Sequence, residues 1–489
     1  MTISQAFSNA TSGLGAASRQ ASVTSNNIAN ALTPGYHRRD VTLAERVLGS
    51  EGAGVMVAGI DRAQNAALTA QRRDADAGAA YSSITADAAM TISRLVGGPE
   101  DANALFGKFA AFDSDLRQLA NAPADPAAQA SAVSSGLQLT SAFNTLARDL
   151  QTMRADADTE IAHRVASLNE ALRDVEALNE SIRRATAAGQ DASALLDERQ
   201  TAIDKINQSI PVRELRRDDG AVDLMTHEGV FLLAGTAKTI SFTPSPVIAA
   251  ADQYAGGAGA LSGLLVEGVD ITPGGASNQA VRAGAVAGLF AVRDDYAPRA
   301  ANELDALAAD VISRFETAGV DPTIAPGAAA LFTDAGSALA PPVAAGLAGR
   351  IELNAAVDPA QGGDPSRLRD GLYAAAPGPA GSDLLLRRMV DVWDAPQTVN
   401  ASFAAGRALS ALEGASELSS SVHAQNARLG AVSQSADVLA TTLQEAELSR
   451  TGVDTDREMQ NLLLIEQAYA ANARVIEVAS QMIQRLLEL

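Results

Sequence analysis

Both ends of this chain carry apolar residues at alternating steps of three and four, the spacing of a coiled-coil helix. The N-terminal seam comprises Ile3, Phe7, Ala10, Leu14, Ala17, Ala21 and Ile28, and skips Thr24. The C-terminal seam comprises Leu462, Ile465, Tyr469, Ile476, Ala479, Ile483 and Leu486, and is interrupted at Asn472. Because each stripe needs a covering surface, we expect the two terminal helices to pair with each other. The alternative is that each packs on a local core.

Helical periodicity continues inward from both ends. The pattern stays helical as far as Pro211, with a long helix expected from Pro126 to Gly189 and a shorter one from Ala192. Near the C-terminus, Thr455 and Glu458 have the spacing of a capping box, which predicts the start of the last helix. A further seam runs from Val422 to Ala446 and ends at a turn at Thr451-Gly452.

The central part of the sequence has a different period. After Pro211, apolar residues alternate with polar ones around the turn at 218–220, which predicts a β-meander up to Leu233. Weaker strand signals lie at 240–242 and 264–266. Helix is expected again around 289–315, with Pro298 starting a new helix. Residues 323–379 are rich in glycine and proline, which favours loops and short strands.

These patterns predict a mainly α protein with a β-rich insertion (α+β). We expect an elongated molecule with paired N- and C-terminal coiled-coil helices, an inner helical bundle and an outward β-containing middle domain. The expected segments are the N-terminal axial helix and exit turn (1–47), a helical domain (48–211), the β-rich insertion (212–283), the helical return (284–320), an irregular insertion (321–380), the second half of the helical domain (381–453) and the C-terminal axial helix (454–489).

Composition narrows the function. The net charge of −21 argues against nucleic acid, because a polyanion would be repelled. Aromatic residues make up only 4%, with Trp393 the single tryptophan, which favours helices packed through small residues. Alanine-rich codon usage would give the same enrichment. The absence of cysteine excludes disulfides and thiolate chemistry. The sequence has no Sec-type signal and no apolar run long enough to span a membrane.

The search for catalytic chemistry finds no convincing constellation. The four histidines are widely spaced, and His227-Glu228 lacks the second histidine of a zinc-protease helix. Gly13-Leu14-Gly15 lies inside a helical seam, so close helix packing explains it better than dinucleotide binding. We therefore expect a non-enzyme with no catalytic residue, no cofactor and no metal site.

A motif at the end of the first helix is the most specific signal. Residues 25–36 read SNNIANALTPGY, where Thr33-Pro34-Gly35 enforces an exit turn. This motif resembles the N-terminal signature of bacterial flagellar rod, hook and hook-associated proteins. Its Thr-Pro-Gly-Tyr sequence followed by Arg38 is more similar to the hook-associated protein 1 (FlgK) family than to the rod proteins. The residues that carry it are Asn27, Ile28, Ala29, Asn30, Thr33, Pro34, Gly35 and Tyr36.

Other segments are similar to the same family. They are 52–71, 195–199, the hairpin at 219–220, 287–294, and the C-terminal motif from Thr451 to Ile476. Three positions depart from the family pattern: Leu32 and His37 replace the more usual Asn and Ser, and Asn65 replaces Asp.

The resemblance implies a structural subunit of the hook–filament junction that assembles through its terminal helices. Its implied partners are copies of itself in a ring or tube, the hook protein, a second junction protein and a cytosolic export chaperone on the C-terminal helix. It implies type III export and an extracellular position in the flagellum after a transient cytoplasmic stage. The expected assembly interface is Ile3, Phe7, Leu14, Ile28, Leu462, Ile465, Tyr469, Ile476, Ile483 and Leu486.

Two alternatives remain open from the sequence. One is another axial component, of the hook or filament type, because the end motifs are shared. The other is an exported adhesin that uses axial-type ends and carries its activity in the middle region.

Overall fold

A computed structural model of the protein describes residues 3–48, 51–255 and 259–487. The chain forms two compact units. The first, here called the terminal unit, comprises residues 1–79, 166–240 and 436–489. The second, the middle unit, comprises residues 80–165 and 241–435.

The described residues are mainly helical. The α-helices are α1 (Ile3–Ala29), α2 (Ala66–Val96), α3 (Leu105–Asn121), α4 (Pro126–Ala187), α5 (Ser193–Ser209), α6 (Gly284–Ala291), α7 (Ala297–Glu316), α8 (Arg367–Asp370), α9 (Leu384–Asp394), α10 (Ala411–Thr451) and α11 (Thr455–Leu487). The expected class, mainly α with β-containing insertions and paired terminal helices, is confirmed.

The strands form small antiparallel sheets. They are β1 (Arg39–Leu48), β2 (Glu51–Arg62), β3 (Val212–Arg216), β4 (Val222–Thr226), β5 (Phe231–Ala234), β6 (Thr236–Ala237), β7 (Ile240–Ser241), β8 (Leu265–Val266), β9 (Val269–Asp270), β10 (Phe332–Asp334), β11 (Ile351–Leu353), β12 (Gln397–Thr398) and β13 (Ala408–Leu409). Strands β3 to β6 make the expected meander, and β7, β8 and β9 form a three-stranded sheet.

Helices α1 and α11 pack along each other, as the two seams predict. The two helices are close at Gly13, where an added Cβ would lie 2.8 Å from Asn472 Oδ1. Asn472, which interrupts the C-terminal seam, therefore faces a glycine on the partner helix. The polar side chain fits there because the facing residue has none.

The start of α11 differs from the predicted capping box. Asp454, not Thr455, accepts hydrogen bonds from the backbone N–H groups of Asp456 and Arg457, at 3.0 and 3.2 Å. The carboxylate of Glu458 instead contacts α1. The prediction that Thr455 and Glu458 cap this helix is wrong, because a nearer carboxylate serves the free N–H groups.

The prediction of continuous helix up to Pro211 is also wrong at residues 39–62, where β1 and β2 form a long hairpin. Glycines within the hairpin disfavour helix, and Gly54 has a φ of +99°. An added Cβ at Gly54 would collide with Ser12, whose Oγ accepts a hydrogen bond from Val55 N at 3.1 Å. The hairpin thus docks closely on α1.

The boundaries of α4 agree with expectation. Helix α4 begins at Pro126 and is followed by Gly189, which has a φ of +68°. The meander is fixed to α4 through two asparagines. Asn179 donates to Val222 O at 2.8 Å and accepts from its N–H, while Asn169 makes the same pair of bonds with Ile240.

Pro298 lies in the first turn of α7, as expected, but no break in helical structure separates α7 from α6. The chain remains helical from Gly284 to Glu316, passing through a π-helical turn at Val292–Tyr296. Because Pro298 has no N–H and its ring crowds the preceding turn, the wider π turn accommodates it without breaking the helix.

The middle unit has an aromatic core. The Trp393 ring lies 5.1 Å from the Phe112 ring and 5.5 Å from the Phe109 ring, and Phe332 and Phe315 complete the group. Residues 323–379, which contain little regular structure as expected, contribute Phe332 and several buried aliphatic side chains to it. Side chains of this segment are therefore deeply buried although its backbone is largely irregular.

Candidate assembly site

The exit turn after α1 forms as its sequence predicts. The side-chain amide of Asn30 donates a hydrogen bond to the backbone oxygen of Asn26 at 2.9 Å. The backbone carbonyl of Asn30 accepts a hydrogen bond from Thr33 N at 2.9 Å. Gly35 has a φ of +80°, and an added Cβ would lie 2.6 Å from Thr201 Oγ1 on α5. The turn therefore needs glycine both for its conformation and for its close approach to α5.

Asn27 is the centre of the site. It is fully buried, and its amide donates to Arg39 O at 2.8 Å and to Glu458 Oε2 at 3.2 Å. Its carbonyl accepts from Tyr36 O–H at 2.8 Å and from Arg39 N at 3.1 Å. One side chain thus joins α1, the exit turn, β1 and α11, and every polar atom of its amide is satisfied.

Asp197 on α5 forms the adjoining charged cluster. Its carboxylate accepts from Arg62 Nε at 2.6 Å and from Arg39 at 2.9 Å, and His37 Nδ1 lies 3.1 Å away. Burial, the largest single influence, raises the pKa of Asp197, but hydrogen bonds from His37, Arg62 and Arg39 together lower it below its usual range. The carboxylate is therefore held charged beside two arginines.

We refer to these two groups together as the knot, meaning a cluster of side chains and not a knotted backbone. Its members are Asn27, Tyr36, His37, Arg39, Arg62, Asp197 and Glu458. The Arg39 guanidinium also lies over the Tyr36 ring, 4.7 Å from its centroid. The knot joins four sequence segments that are far apart along the chain. Each charged side chain of the knot has at least one protein partner, although Arg39 Nε is buried without one.

A second buried ion cluster lies elsewhere in the terminal unit. Arg72 on α2 pairs with Asp76, with Asp204 on α5 at 2.7 Å, and with Glu447 on α10. Arg73 pairs with Asp204 and with Glu214 on β3. This cluster fixes the end of α10 immediately before the turn into α11.

The residues expected at the assembly interface fall into two groups. Ile3, Leu14, Ile28, Leu462, Ile465 and Ile476 are half-buried along the α1–α11 pair, whereas Phe7, Tyr469 and Ile483 are exposed. The side chain of Leu486 lies outside the described residues. Of the motif residues, Ala29, Thr33, Pro34 and Gly35 are exposed, Ile28, Asn30 and Tyr36 are half-buried, and Asn27 is buried.

Sequence reasoning missed most of the knot. Arg39, Arg62 and Asp197 received no structural role and Glu458 was assigned only to a helix cap, although the last three lie inside segments that resemble the family. Which acid meets which arginine depends on long-range packing that periodicity does not encode. A usable signal was present, because charged residues within otherwise apolar, motif-like segments are buried only when paired.

Neither a membrane-spanning nor a metal-binding element is apparent in the described ranges. None of their helices is both long and apolar enough to cross a bilayer. Their histidine and acidic side chains form no group of three or more that could hold a metal ion.

Comparison with known families assigns three parts of the chain. Residues 91–328 match the family model for the flagellar hook-associated protein FlgK helical domain. Residues 444–489 match the C-terminal model of the flagellar basal body rod FlgEFG proteins, and residues 7–37 match the flagella basal body rod protein model.

Similar proteins carry one name. Flagellar hook-associated protein 1 of Salmonella typhimurium is 29% identical over 286 residues, covering 54% of this chain and 51% of that protein. The chain thus aligns with about half the length of this relative. Flagellar hook-associated protein 1 of Bacillus subtilis is 22% identical, over 95% of this chain and 94% of that protein. These matches confirm the resemblance to the FlgK family.

A solved structure of the flagellar hook junction protein FlgK from Burkholderia pseudomallei aligns with a TM-score of 0.44 and 22% identity. The alignment covers 55% of this chain and 46% of that one. Within this FlgK-like chain, the three family matches contain the main members of the knot. Asn27 and Tyr36 lie in the N-terminal match, Asp197 in the helical-domain match and Glu458 in the C-terminal match.

Proposed function

We propose that the protein is a structural subunit of the bacterial flagellum that forms the junction between hook and filament. The observation that carries this proposal is the α1–α11 pair, which is fixed at its base by the knot and still exposes apolar side chains along its length. Exposed apolar surface of this kind marks an interaction site. The relatives named flagellar hook-associated protein 1 support the same assignment.

Assembly would proceed through the terminal helices, with the ten seam residues from Ile3 to Leu486 at or beside the contacts. The partners are further copies of the chain, the hook protein on one side and a second junction protein on the other. Before export, the apolar face between Leu462 and Leu486 would be covered by a cytosolic chaperone. The role is structural rather than catalytic, because the charged groups of the knot are all engaged in holding the fold.

A second candidate is another axial component, such as a rod or hook subunit. It is favoured by the two end matches, which are to rod-protein models. The helical-domain match at residues 91–328 favours the junction instead.

Electron microscopy of cells lacking the gene separates the candidates. The junction role predicts bare hooks, with flagellin released into the medium, and restoration of attached filaments by the intact gene. Missing hooks would place the protein in the rod or hook. Normal attached filaments in a strain with no second copy of the gene would refute an axial role.

A further inference from the structure

Helix α11 carries a second apolar stripe beside the one that packs on α1. The outer stripe is Leu464, Ala468, Ala471, Val475, Val478 and Met482, and all six residues are exposed. Leu464 is 63% exposed, and Val478 and Met482 are each 50% exposed. The steps alternate between four and three without interruption, as in the seam that packs on α1. Helix α11 therefore presents apolar residues on two neighbouring faces, of which α1 covers one.

The form of the outer stripe indicates a helical partner. A heptad stripe one residue wide matches the groove of another helix, whereas a helix lying on a membrane needs a broad apolar face and a basic polar face. On α11 the acidic residues Glu466 and Glu477 alternate with Arg474 and Arg485. From Leu464 to Met482 the stripe is about 27 Å long, at about 1.5 Å per residue.

The exposed face of α1 has the matching character. The helix has 27 residues and only one charged side chain, Arg19, in a chain whose net charge is −21. A helix face meant for water normally carries charged residues. The face is lined by residues that are all exposed and follow the same steps, Ser4, Ser8, Thr11, Gly15, Ser18, Ser22 and Ser25. Small side chains let a second helix approach closely.

The outer stripe also continues an interface that already exists. Its first two members, Leu464 and Ala468, form one wall of a cleft of about 370 Å³, whose other walls include Gln20 and Thr24 of α1 and Asp40 of β1. A helix lying along the outer stripe would close this cleft. The contact between copies would then extend the α1–α11 packing of each copy.

We propose that the outer stripe of α11 in one copy packs against the exposed face of α1 in a second copy. The two surfaces are different, so the contact is head-to-tail and repeats from copy to copy into a ring or a helical array. This inference rests on the proposed role as an axial subunit and specifies which faces meet.

Cross-linking in isolated flagella tests the contact, and the absence of native cysteine makes it clean. A strain lacking the gene would express two tagged variants together. One carries Val475→Cys, and the other carries Ser8→Cys, Gly15→Cys or Ser22→Cys in turn, which samples the register about every 10 Å. The matched control replaces Val475→Cys with Glu477→Cys, since Glu477 is exposed on the same helix but lies outside the stripe.

The expected result with a short bis-maleimide linker is a mixed dimer of Val475→Cys with at least one α1 variant, and none with Glu477→Cys. Attached filaments containing both variants but no mixed dimer would overturn the inference and leave the junction role intact. Cross-linking of Val475→Cys only to itself would also overturn it, because that contact joins like surfaces. If the intact chain is absent from isolated flagella, the proposed function fails as well.

A charge substitution provides an independent measurement. Val475→Asp is expected to abolish filament attachment and release flagellin into the medium, while Glu477→Gln leaves attachment unchanged. Because both positions are exposed in the single chain, neither change should alter its helix content by circular dichroism. Normal attachment with Val475→Asp would overturn the inference.

Discussion

The terminal unit and the middle unit differ in the aromatic side chains that they bury, although both bury aliphatic residues and paired charges. The middle unit contains every deeply buried aromatic residue of the described chain, including Phe109, Phe112 and Trp393. None of the four aromatic residues in the terminal unit is buried. Distant segments of the terminal unit are joined by the knot and by the Arg72 cluster, beside buried aliphatic residues such as Leu172 and Leu224. The low average aromatic content therefore conceals an uneven distribution, because the buried rings of the described residues all lie in the middle unit.

This difference predicts that loss of one aromatic ring is most damaging in the middle unit. Phe112→Ala removes contacts with three other rings and should lower the free energy of unfolding by about 3–5 kcal/mol. Trp393 reports on this unit alone, so denaturant titration followed by its fluorescence measures the effect. Phe231→Ala in the terminal unit removes an exposed ring and should change stability by only about 0.5 kcal/mol. Similar losses for both variants would contradict the comparison.

In the terminal unit, we expect a comparable loss of stability when a buried charge is removed. Asp197→Asn leaves Arg39 and Arg62 buried without their carboxylate and should cost about 3 kcal/mol. Hydrogen exchange of peptides from α1 and α5 should show the loss of stability as reduced amide protection. The denaturant midpoint of the middle unit, measured by Trp393 fluorescence, should not change. Asp40→Asn breaks an exposed pair with Arg38 and should cost about 0.5 kcal/mol. An Asp197→Asn protein with unchanged exchange would show that the knot does not stabilise this unit.

Lowering the pH should have opposite effects on the stability contributions of two carboxylates, Asp197 in the terminal unit and Asp305 in the middle unit. The folded pKa of Asp197 is lowered, so its contribution is complete above the unfolded pKa of about 3.9 and is lost as pH falls through the folded value. Burial, the largest cause, raises the pKa of Asp305 in the middle unit, despite hydrogen bonds from the backbone N–H groups of Ala348 and Gly346. Its effect on stability therefore becomes more favourable as pH falls through its folded pKa.

The measurement compares each wild-type pH profile with that of the asparagine variant. Relative to Asp197→Asn, the wild-type terminal unit should lose exchange protection below about pH 4. Relative to Asp305→Asn, the wild-type middle unit should gain stability as pH falls from neutrality, as read from Trp393 fluorescence. Parallel profiles for either pair would show that the corresponding carboxylate does not titrate as described.

The smallest expected effect concerns the fit between α1 and α11. Gly13→Ala improves helix propensity by about 1 kcal/mol but places a methyl group against the Asn472 amide. The two effects should nearly cancel, so we expect a net change within about 1 kcal/mol. Adding Asn472→Ala removes the crowding, and the double variant should protect α1 amides more than Gly13→Ala alone. An additive double-mutant cycle would show that these residues do not touch.

The elements predicted well from sequence are those fixed by local pattern. The helix from Pro126, the meander after Pro211 and the Gly35 turn each follow from periodicity or from one residue with restricted backbone geometry. The hairpin at 39–62 was missed because its strands follow no simple alternation, and its docking depends on Gly54 meeting Ser12. The seams predicted that α1 and α11 pair, but not that Thr24 and Asn27 would lie in the buried stripe.

The knot required information that no window of sequence contains. Asn27 could be placed at a helix end by its motif, but its partner Glu458 lies 431 positions away. Likewise, the aromatic core draws Phe332 from a region with almost no regular structure. In both cases the burial of a residue is decided by segments that meet only in the folded chain.

Because Asn27 and Glu458 are 431 positions apart in the sequence, the knot can form only after α11 has been synthesised. A chain interrupted before α11 leaves the buried Asn27 amide short of one acceptor and uncovers the small side chains of α1. Without α11 to pack against, the first helix of a truncated product would be poorly held and exposed to proteases. A chain that lacks α11 therefore cannot complete the contacts of its own first helix.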